Sequence, residues 1–286
     1  MIRNARPVGQ RLDERTAIVT GGAGTVGIGL SVRLAREGAN VVIAQRSSAA
    51  PEQVIERIEG FGGTAMFVRT DLTVRDDLVN LVEETLDSFG GVHVLVNNAV
   101  NPLKQPAASM SWEAWDEVLE ANLTAPFRLA QLVYPHIQEA GYGRVINVGA
   151  IQGRSPLPGS VAYAASKTGL EGITRSLASE WGDEQGVDFT ANLVMVGPIY
   201  EDTDWRDHSD VPIDEVYERV PEEYDEGAAT LVGRWGRSSD VAPLIAFLAS
   251  PEGSFVTAAI IPCDGGRLVS RKGKVVDPDM TDLDES

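Results

Sequence analysis

The chain has 286 residues, of which 43% are hydrophobic, and a formal net charge of −18 at pH 7. This length predicts one or two domains, and the acidic excess excludes nucleic acid and anionic membranes as partners because like charges repel. The sequence contains no run of about 18 apolar residues, so no membrane span is expected. No apolar run follows the basic residues of 1–10, so these residues do not predict a secretory signal. The single cysteine, Cys263, cannot form an internal disulfide, and the three scattered histidines give no metal-ligand spacing. We therefore expect a cytoplasmic protein without a metal.

The first predicted elements are a strand, a glycine-rich loop and a helix. Residues 16–19 form the strand, residues 20–29 (TGGAGTVGIG) the loop, and residues 30–38 a helix stopped by glycine. A second strand at 40–44 completes a β-α-β unit. In this context glycines let the backbone approach a pyrophosphate closely. The free N–H groups at the start of the helix stabilise the negative charge of the pyrophosphate. The loop therefore predicts a nucleotide site that includes Gly21, Gly24, Thr25, Gly27 and Ile28.

The residues that follow the second strand predict which nicotinamide cofactor binds. An acidic residue there binds the ribose hydroxyls of NAD(H), whereas a cation accepts the additional phosphate of NADP(H). The segment Gln45-Arg46-Ser47 contains no acid. Arg46 is placed to pair with a phosphate, with Ser47 beside it, so the sequence favours NADP(H) over NAD(H). The alternative interpretation of Arg46 is an ordinary surface arginine.

Strands and helices keep alternating along the rest of the chain. The pattern predicts a helix at 52–61, a strand at 64–69, a helix with the apolar stripe Leu78, Leu81, Val82 and Leu86, a strand at 92–96, a long helix containing Asn122, a strand at 143–148, a helix containing Tyr163, a strand at 187–194, a helix at 240–249 and a strand at 259–262. Such alternation predicts an α/β fold, namely a Rossmann-type doubly wound parallel sheet of about seven strands with helices on both faces.

The chain shows no internal repeat and no linker, so we expect one main domain. Residues 1–14 are polar and predict a flexible N-terminal arm, and residues 15–268 form the single Rossmann-type domain. Residues 269–286 are an acidic C-terminal tail. Within the domain, residues 201–234 are acidic and irregular in pattern, and they include the aromatic residues Trp205, Tyr217 and Tyr224.

Tyr163 and Lys167 are the strongest catalytic candidates. Apolar residues recur at helical spacing after Tyr163, and residues four apart share one face of a helix. A cation beside a phenol lowers a pKa that is about 10 in water, which makes the phenol a better proton donor near neutral pH. The pattern alone is weak, because two surface residues would also match it. Ligands of parallel sheets bind beyond the carboxyl ends of the strands, where other candidates fall: Asp71, Leu72, Asn98, Ala99, Ala150, Gly197 and Ile199.

Assembled, these motifs resemble those of the short-chain dehydrogenase/reductase family from about Arg15 to Leu268. The matching features are the glycine loop, Asp71, the Asn-Asn-Ala of 97–99, Asn122, the Tyr163/Lys167 pair and the Asp-Gly-Gly of 264–266. The resemblance implies a homotetramer or homodimer that transfers a hydride between a nicotinamide and the carbonyl or alcohol of a small molecule. It also implies that Tyr163 donates the proton, that Lys167 lowers the pKa of Tyr163 and holds the nicotinamide ribose, and that Asn122 holds a water in the proton relay.

The resemblance further implies that the segment 199–231 forms a substrate lid, with Tyr200 as a substrate contact. The alternative for the aromatic residues of this segment is packing within the lid or contact with another subunit.

The main departure from the family is the absence of its catalytic serine. The family places that serine thirteen residues before the tyrosine, and this position is Ala150 here. An alanine methyl cannot donate a hydrogen bond to a developing oxyanion, and removal of one such donor costs about 10²–10³ in rate in other enzymes. Gln152 and Ser155 are close enough in sequence to substitute for it. Ala150 and Gln152 are therefore expected to face the substrate.

Further departures surround the cofactor. The family usually has three residues between the first loop glycine and a Gly-x-Gly pair, whereas this chain has five, 22–26, which predicts a reshaped pyrophosphate cradle. Val100 stands where the family has a glycine, Val196 where it has a proline, and Ala258 where a glycine is common.

Two other functions remain open on the sequence alone. The same fold could perform an atypical step, such as C=N reduction, isomerisation or cyclisation, because an iminium carries its own charge and needs a serine donor less. Alternatively, the chain could bind the cofactor without turnover, which the missing hydroxyl at Ala150 favours and the presence of Asn122, Tyr163 and Lys167 together opposes.

Overall fold

The computed structural model describes residues 10–47, 49–200 and 229–270. The strands in these residues are β1 (Thr16–Thr20), β2 (Asn40–Gln45), β3 (Thr64–Arg69), β4 (Val94–Asn97), β5 (Tyr142–Ala150), β6 (Asp188–Val196) and β7 (Ile260–Cys263). The α-helices are α1 (Thr25–Arg36), α2 (Ala49–Gly60), α3 (Arg75–Phe89), α4 (Trp112–Leu119), α5 (Ala125–Ala140), α6 (Val161–Trp181) and α7 (Ser238–Ala249). Within the described ranges, none of these helices is both long and apolar enough to cross a bilayer.

All seven strands are parallel and form one sheet in the order β3-β2-β1-β4-β5-β6-β7. The central strand β1 shows how the sequence produces this arrangement. Ala17 and Val19 pack into the core on one face of the sheet, and Ile18 packs into the core on the other. A strand buried on both faces needs a continuous apolar run, which is what β1 has. The predicted doubly wound parallel sheet with helices on both faces is confirmed.

The start of α1 differs from the prediction. The helix begins at Thr25, five residues before the predicted start at residue 30, and therefore contains Gly27 and Gly29. Glycine in a helix interior is less stable than alanine by about 1 kcal/mol, and for this reason the sequence pattern predicts a helix that begins only after the glycines. Tertiary packing overrides this preference, since a Cβ on Gly29 would lie 2.6 Å from the Cβ of Ser238 on α7. Gly29 thus lets α1 and α7 approach closely.

Part of the predicted N-terminal arm is packed against the domain. Leu12 is fully buried, and the backbone N–H of Leu12 donates to the carbonyl oxygen of Glu37 at 2.8 Å. The Arg11 guanidinium pairs with the Glu37 carboxylate, with an Nε–Oε2 distance of 2.8 Å, and holds the pKa of that carboxyl below its usual range. The expectation of a loose arm is therefore wrong for residues 10–14. Residues 1–9, most of the predicted lid (201–228) and most of the predicted tail (271–286) lie outside the described residues.

Ala258, just before β7, has a backbone conformation that favours glycine. Its φ is +56°, in the left-handed region that costs an ordinary residue roughly 1–2 kcal/mol. We expect Ala258→Gly to raise the free energy of unfolding by about 0.5–1 kcal/mol, after the greater flexibility of glycine in the unfolded chain is subtracted. Thermal denaturation followed by circular dichroism would measure this. Ala259→Gly, one residue on, should instead destabilise the protein, and a loss of stability in Ala258→Gly would contradict the strain argument.

Candidate functional site

A cavity of about 440 Å³ opens beyond the carboxyl ends of the central strands. Most of the predicted site residues line it, namely Gly21, Gly24, Thr25, Arg46, Asp71, Leu72, Asn98, Ala99, Ala150, Tyr163, Lys167, Gly197 and Ile199. Six predicted residues do not line it: Gly27, Ile28, Ser47, Asn122, Gln152 and Tyr200. The topology thus gathers residues more than 170 positions apart in the sequence into one cavity, since β1 lies between β2 and β4 and the winding reverses there.

The last part of the predicted glycine loop is helical. α1 begins at Thr25, so Thr25 and Val26 form the start of the helix and only residues 22–24 separate Gly21 from it. Five residues still separate Gly21 from the glycine pair of 27 and 29, and the predicted effect of this difference on the pyrophosphate cradle stays a prediction. Gly21 needs its φ of +62° and a close approach to Ala99, whose Cα would lie 3.0 Å from an added Cβ.

The same shift corrects two predicted cofactor contacts. A Cβ on Gly27 would lie 1.9 Å from the carbonyl oxygen of Gly21, so Gly27 packs against the loop backbone instead of lining the cavity. Ile28 is buried in the hydrophobic core. The residues of this turn that line the cavity are Thr25 and Val26. Sequence reasoning missed Val26 because it aligned the glycines by type and not by the helix start.

Asn98 connects the end of β4 to the glycine loop. Its Nδ2 donates to the carbonyl oxygens of Thr20 and Gly21 at 3.0 and 3.1 Å, and its backbone N–H donates to Thr20 Oγ1 at 2.9 Å. The backbone N–H of Ala99 donates to the same hydroxyl at 3.0 Å. These bonds satisfy polar groups where β1 and β4 both end, and they fix the shape of the cavity floor.

The other end of the cavity carries charged groups. Arg46 is exposed and follows β2 directly. Asp71 follows β3, and its carboxylate accepts hydrogen bonds from the backbone N–H and the hydroxyl of Thr73 at 2.9 and 2.7 Å. These bonds, with smaller contributions from the positive charges of Arg46 and Arg69, hold the pKa of Asp71 below its usual value. The carboxylate is thus ionised and held in a fixed orientation.

At the opposite end, Tyr163 and Lys167 lie one turn apart on α6. Lys167 Nζ lies 5.8 Å from the centroid of the Tyr163 ring and donates to the carbonyl oxygen of Val148 at 2.8 Å. Burial lowers the pKa of Lys167 to about 8 and raises the pKa of Tyr163 to about 12. The net shift of the Tyr163 pKa is thus upward, opposite to the direction expected, because removal of the phenol from water disfavours the phenolate. The predicted effect of the Lys167 charge on Tyr163 stays a prediction.

Ala150, the last residue of β5, borders the cavity beside this pair. The two residues expected to replace a hydroxyl at this position lie elsewhere. Gln152 is half-buried in a short 3-10 turn (Ile151–Gly153), and Ser155 is exposed; neither lines the cavity. The expected substitution by Gln152 or Ser155 is thus not supported by the geometry.

Asn122 lies in a π-helical turn, Glu120–Thr124, that joins α4 to α5. Its side chain makes a pair of bonds with the backbone of Asn101: Oδ1 accepts from the N–H at 2.7 Å, and Nδ2 donates to the carbonyl oxygen at 3.0 Å. Nδ2 also donates to Ser166 Oγ at 3.3 Å. The amide thus anchors the segment after β4, with Asn101 and not Asn122 lining the cavity. Single π-turns are frequent at functional sites.

Tyr200, a predicted substrate contact, is half-buried, and its backbone N–H donates to the carbonyl oxygen of Gly236 at 2.9 Å. Several polar residues line the cavity that sequence reasoning did not select: Gln45, Thr70, Thr73, Asn101 and Glu117. Thr70, Thr73 and Asn101 follow predicted strand ends, so position alone could have found them. Glu117 lies on α4, and no sequence pattern predicts it as a cavity residue, because its position in the cavity depends on how α4 packs against the domain.

A doubly wound sheet with a glycine loop at one end of a cavity and a Tyr–Lys pair at the other defines a class of nucleotide-binding oxidoreductases. Residues 15–211 match the family described as short chain dehydrogenase, and the chain belongs to this family. It is 32% identical to 3-oxoacyl-(acyl-carrier-protein) reductase FabG of Thermotoga maritima over 261 residues, covering 91% of this chain and 100% of that protein. It is 34% identical to cis-4-hydroxycyclohexanecarboxylate dehydrogenase of Sinomonas cyclohexanicum over 263 residues, covering 91% and 98% of the two chains.

Solved structures agree with this membership. A putative short-chain alcohol dehydrogenase from Sinorhizobium meliloti superposes with a TM-score of 0.79 at 27% identity, covering 91% of this chain and 98% of that one. A dehydrogenase/reductase from the same organism superposes with a TM-score of 0.76 at 32% identity, covering 91% and 97%. The protein is therefore an NAD(P)-dependent oxidoreductase of the short-chain dehydrogenase family.

The residues present fit a nicotinamide dinucleotide. Gly24 caps α1 and has no side chain that could accept from the first N–H groups of the helix, so an anion can approach them. Gly21 and Gly24 line the cavity with backbone alone, and a Cβ at Gly21 would crowd Ala99 at 3.0 Å, so the loop backbone is what a ligand in the cavity would meet there. Arg46 places a cation at one end of the cavity, which suits a phosphate, and Lys167 places a hydrogen-bond donor at the other end, which suits the hydroxyls of a ribose.

Proposed function

We propose that the protein is an NADP(H)-dependent oxidoreductase that interconverts a carbonyl and an alcohol, with Tyr163 as acid and base and no catalytic serine. The observation that carries this proposal is that Tyr163 and Lys167 face the same cavity as the glycine loop. Bound there, the nicotinamide would supply or accept the hydride. The cavity residues from the glycine loop, β4 and β6 would hold the cofactor: Gly21, Gly24, Thr25, Asn98, Ala99, Gly197 and Ile199, together with Asp71 and Leu72 after β3.

Tyr163 would donate the proton in the direction of reduction. Its pKa of about 12 keeps the phenol protonated at neutral pH, and donation to a more basic alkoxide oxygen is still favourable. Lys167 would hold the cofactor ribose and assist Tyr163 electrostatically. Since its ammonium is buried and its pKa is about 8, the positive charge of Lys167 is sensitive to the anionic groups brought in with the cofactor. Asn122 would act indirectly, through the Asn101 segment that borders the cavity.

Part of the cavity wall near the proton donor would be apolar. Ala150, Val196 and Ile199 line this end of the cavity and carry no side-chain donor. A substrate oxygen there would receive its hydrogen bond from Tyr163, without the second donor that a serine at 150 would give. This arrangement also supports a second candidate function, the reduction of a C=N bond, because an iminium needs less stabilisation of negative charge. Rates of NADPH consumption with matched ketones and cyclic imines would discriminate between the two.

The cofactor preference rests on Arg46, and its removal gives a direct test. We expect Arg46→Ala to lower kcat/KM for NADPH by about 10- to 100-fold, the equivalent of one charge-assisted hydrogen bond, and to change kcat/KM for NADH by less than about threefold. Arg69→Ala is the matched control, since Arg69 is an exposed arginine at the end of the next strand that does not line the cavity. Equal losses with both cofactors would contradict the preference for NADP(H).

We further propose that the protein forms a homodimer or homotetramer. Large apolar side chains are exposed on the outer helices, including Trp112 on α4 and Phe127 on α5. On α6, a Cβ added at Gly172 would meet no atom within 4 Å, which leaves an open surface for a second helix. Sedimentation equilibrium would test this proposal, and a monomer at micromolar concentration would contradict it.

A further inference from the structure

Gln45, the last residue of β2, joins two segments that border the cavity. Its Oε1 accepts a hydrogen bond from the backbone N–H of Ala23 in the glycine loop at 3.1 Å. Its Nε2 donates to the carbonyl oxygen of Ser47 at 3.1 Å. The two partners are of opposite type, a donor and an acceptor, so a carboxamide satisfies both in one orientation only. Gln45 itself also lines the cavity.

The bond to Ala23 completes a link that the backbone makes only in part. The N–H of Gly21 donates to the carbonyl oxygen of Ala44 at 2.7 Å, which fixes the start of the loop against β2. Ala23 lies two residues further on and is almost fully buried. Its N–H would lose a partner if the Gln45 carboxamide were removed, and an unpaired buried donor is unfavourable. Gln45 therefore fixes the middle of the loop as well as its start.

The bond to Ser47 acts on the other segment. It closes a short turn, from the side chain of residue 45 to the carbonyl oxygen of residue 47, around Arg46. Arg46 is exposed and follows the last residue of β2, so this side-chain bond acts on the turn that carries it. One neutral side chain thus fixes the distance between the loop that would hold the pyrophosphate and the arginine that would hold the additional phosphate of NADP(H).

We propose that Gln45 is a positioning residue for NADP(H) selectivity, which acts by holding Arg46 in register with the glycine loop. This inference rests on the proposed role of Arg46. A phosphate contact contributes fully to affinity only when the rest of the ligand is already aligned with it. Loss of the carboxamide should therefore weaken the contact made by Arg46 more than the contacts shared by both cofactors.

The test is a double-mutant cycle on cofactor binding with the full-length protein. Gln45→Met keeps the length of the side chain and removes both hydrogen bonds; Gln185→Met, at an exposed turn before β6, is the matched control. Dissociation constants for NADPH and NADH would be measured by calorimetry for the wild type, Gln45→Met, Arg46→Ala and the double variant. We expect Gln45→Met to weaken NADPH binding about tenfold and NADH binding less than threefold. In the Arg46→Ala background, Gln45→Met should change NADPH affinity by less than threefold.

The outcomes separate this inference from the proposed function. If Arg46→Ala weakens NADPH binding as expected but Gln45→Met weakens NADPH and NADH equally, or its effect multiplies fully with that of Arg46→Ala, Gln45 has only a structural role and the inference is overturned. If Arg46→Ala itself leaves NADPH affinity unchanged, the cofactor preference fails first and the inference fails with it. Should Gln45→Met not fold, Gln45→Asn replaces it in the cycle, because its shorter amide cannot reach both partners, and the same result is expected.

Discussion

Tyr163→Phe should lower kcat for NADPH-dependent reduction about 10³-fold, within the 10²–10⁴-fold range typical of a general acid. The phenylalanine keeps the ring that packs beside Lys167 and removes only the proton that Tyr163 would donate. Because the hydroxyl would act on the substrate and not on the fold, we expect the dissociation constant of NADPH to stay within about threefold and the unfolding temperature to stay close to that of the wild type. Steady-state kinetics at saturating NADPH, with calorimetry for the cofactor, would measure both.

Tyr134→Phe is the matched control for this experiment. Tyr134 lies on α5, its hydroxyl donates to Glu184, and it does not line the cavity, so its removal should leave kcat unchanged. A Tyr163→Phe variant that keeps more than about a tenth of the wild-type kcat would contradict the assignment of Tyr163 as the proton donor. In that case another group that lines the cavity, such as the ammonium of Lys167, would have to supply the proton.

The second large effect is expected at Ala150, where Ala150→Ser should raise kcat for ketones by about 10- to 100-fold. A hydroxyl there would add a donor to the developing oxyanion, and the loss of one such donor costs about 10²–10³ in other enzymes. The side chain borders the cavity at the end of β5, so a serine adds one oxygen without entering the core. For cyclic imines the gain should be less than threefold, because an iminium develops no oxyanion.

Ala150→Gly separates the hydroxyl from a simple change of size. This substitution makes the side chain smaller and adds no hydrogen-bond donor, so it should not raise kcat for ketones or for cyclic imines. If Ala150→Ser lowers kcat for ketones, the apolar wall is itself part of the active site, and the description of Ala150 as a missing serine would be wrong.

The fold could be predicted from the sequence because its main signals are local and repeated. β1 and β2 are continuous apolar runs, and each is followed by a turn and an amphipathic helix, so their type and order follow from hydrophobic periodicity alone. The errors occur where packing at a distance decides the structure. The polar sequence around Leu12 predicts a loose arm, yet Leu12 is buried, and the adjacent Arg11 pairs with Glu37 at the end of α1. The sequence around Leu12 contains no pattern that predicts the Arg11–Glu37 ion pair.

The candidate site was predictable wherever a residue follows a strand. Arg46, Asp71, Asn98 and Ala150 all reach the cavity for this topological reason. Prediction failed where the exact path of the backbone matters. Gly27 was placed in the cavity because glycines in a loop suggest phosphate binding, but its role is to pack against Gly21 inside the first turn of α1.

The sign of the Tyr163 pKa shift could not have been predicted from sequence spacing. A separation of four residues places Lys167 on the same helix face but says nothing about burial, and burial dominates both pKa values. For Gln45, the sequence shows only that the residue at the end of β2 is not acidic. Its two hydrogen bonds depend on the distance between the glycine loop and the end of β2, which only the folded chain defines.

The central claim is that the protein transfers a hydride from NADPH to a carbonyl without a catalytic serine. The most direct measurement uses wild-type protein, NADPH carrying deuterium at both C4 positions, and a panel of ketones, with mass spectrometry of the products. We expect an alcohol that is heavier by one deuterium and that forms faster with NADPH than with NADH. NADPH that binds the protein but gives no labelled product with any carbonyl, while Ala150→Ser does give labelled alcohol, would contradict it.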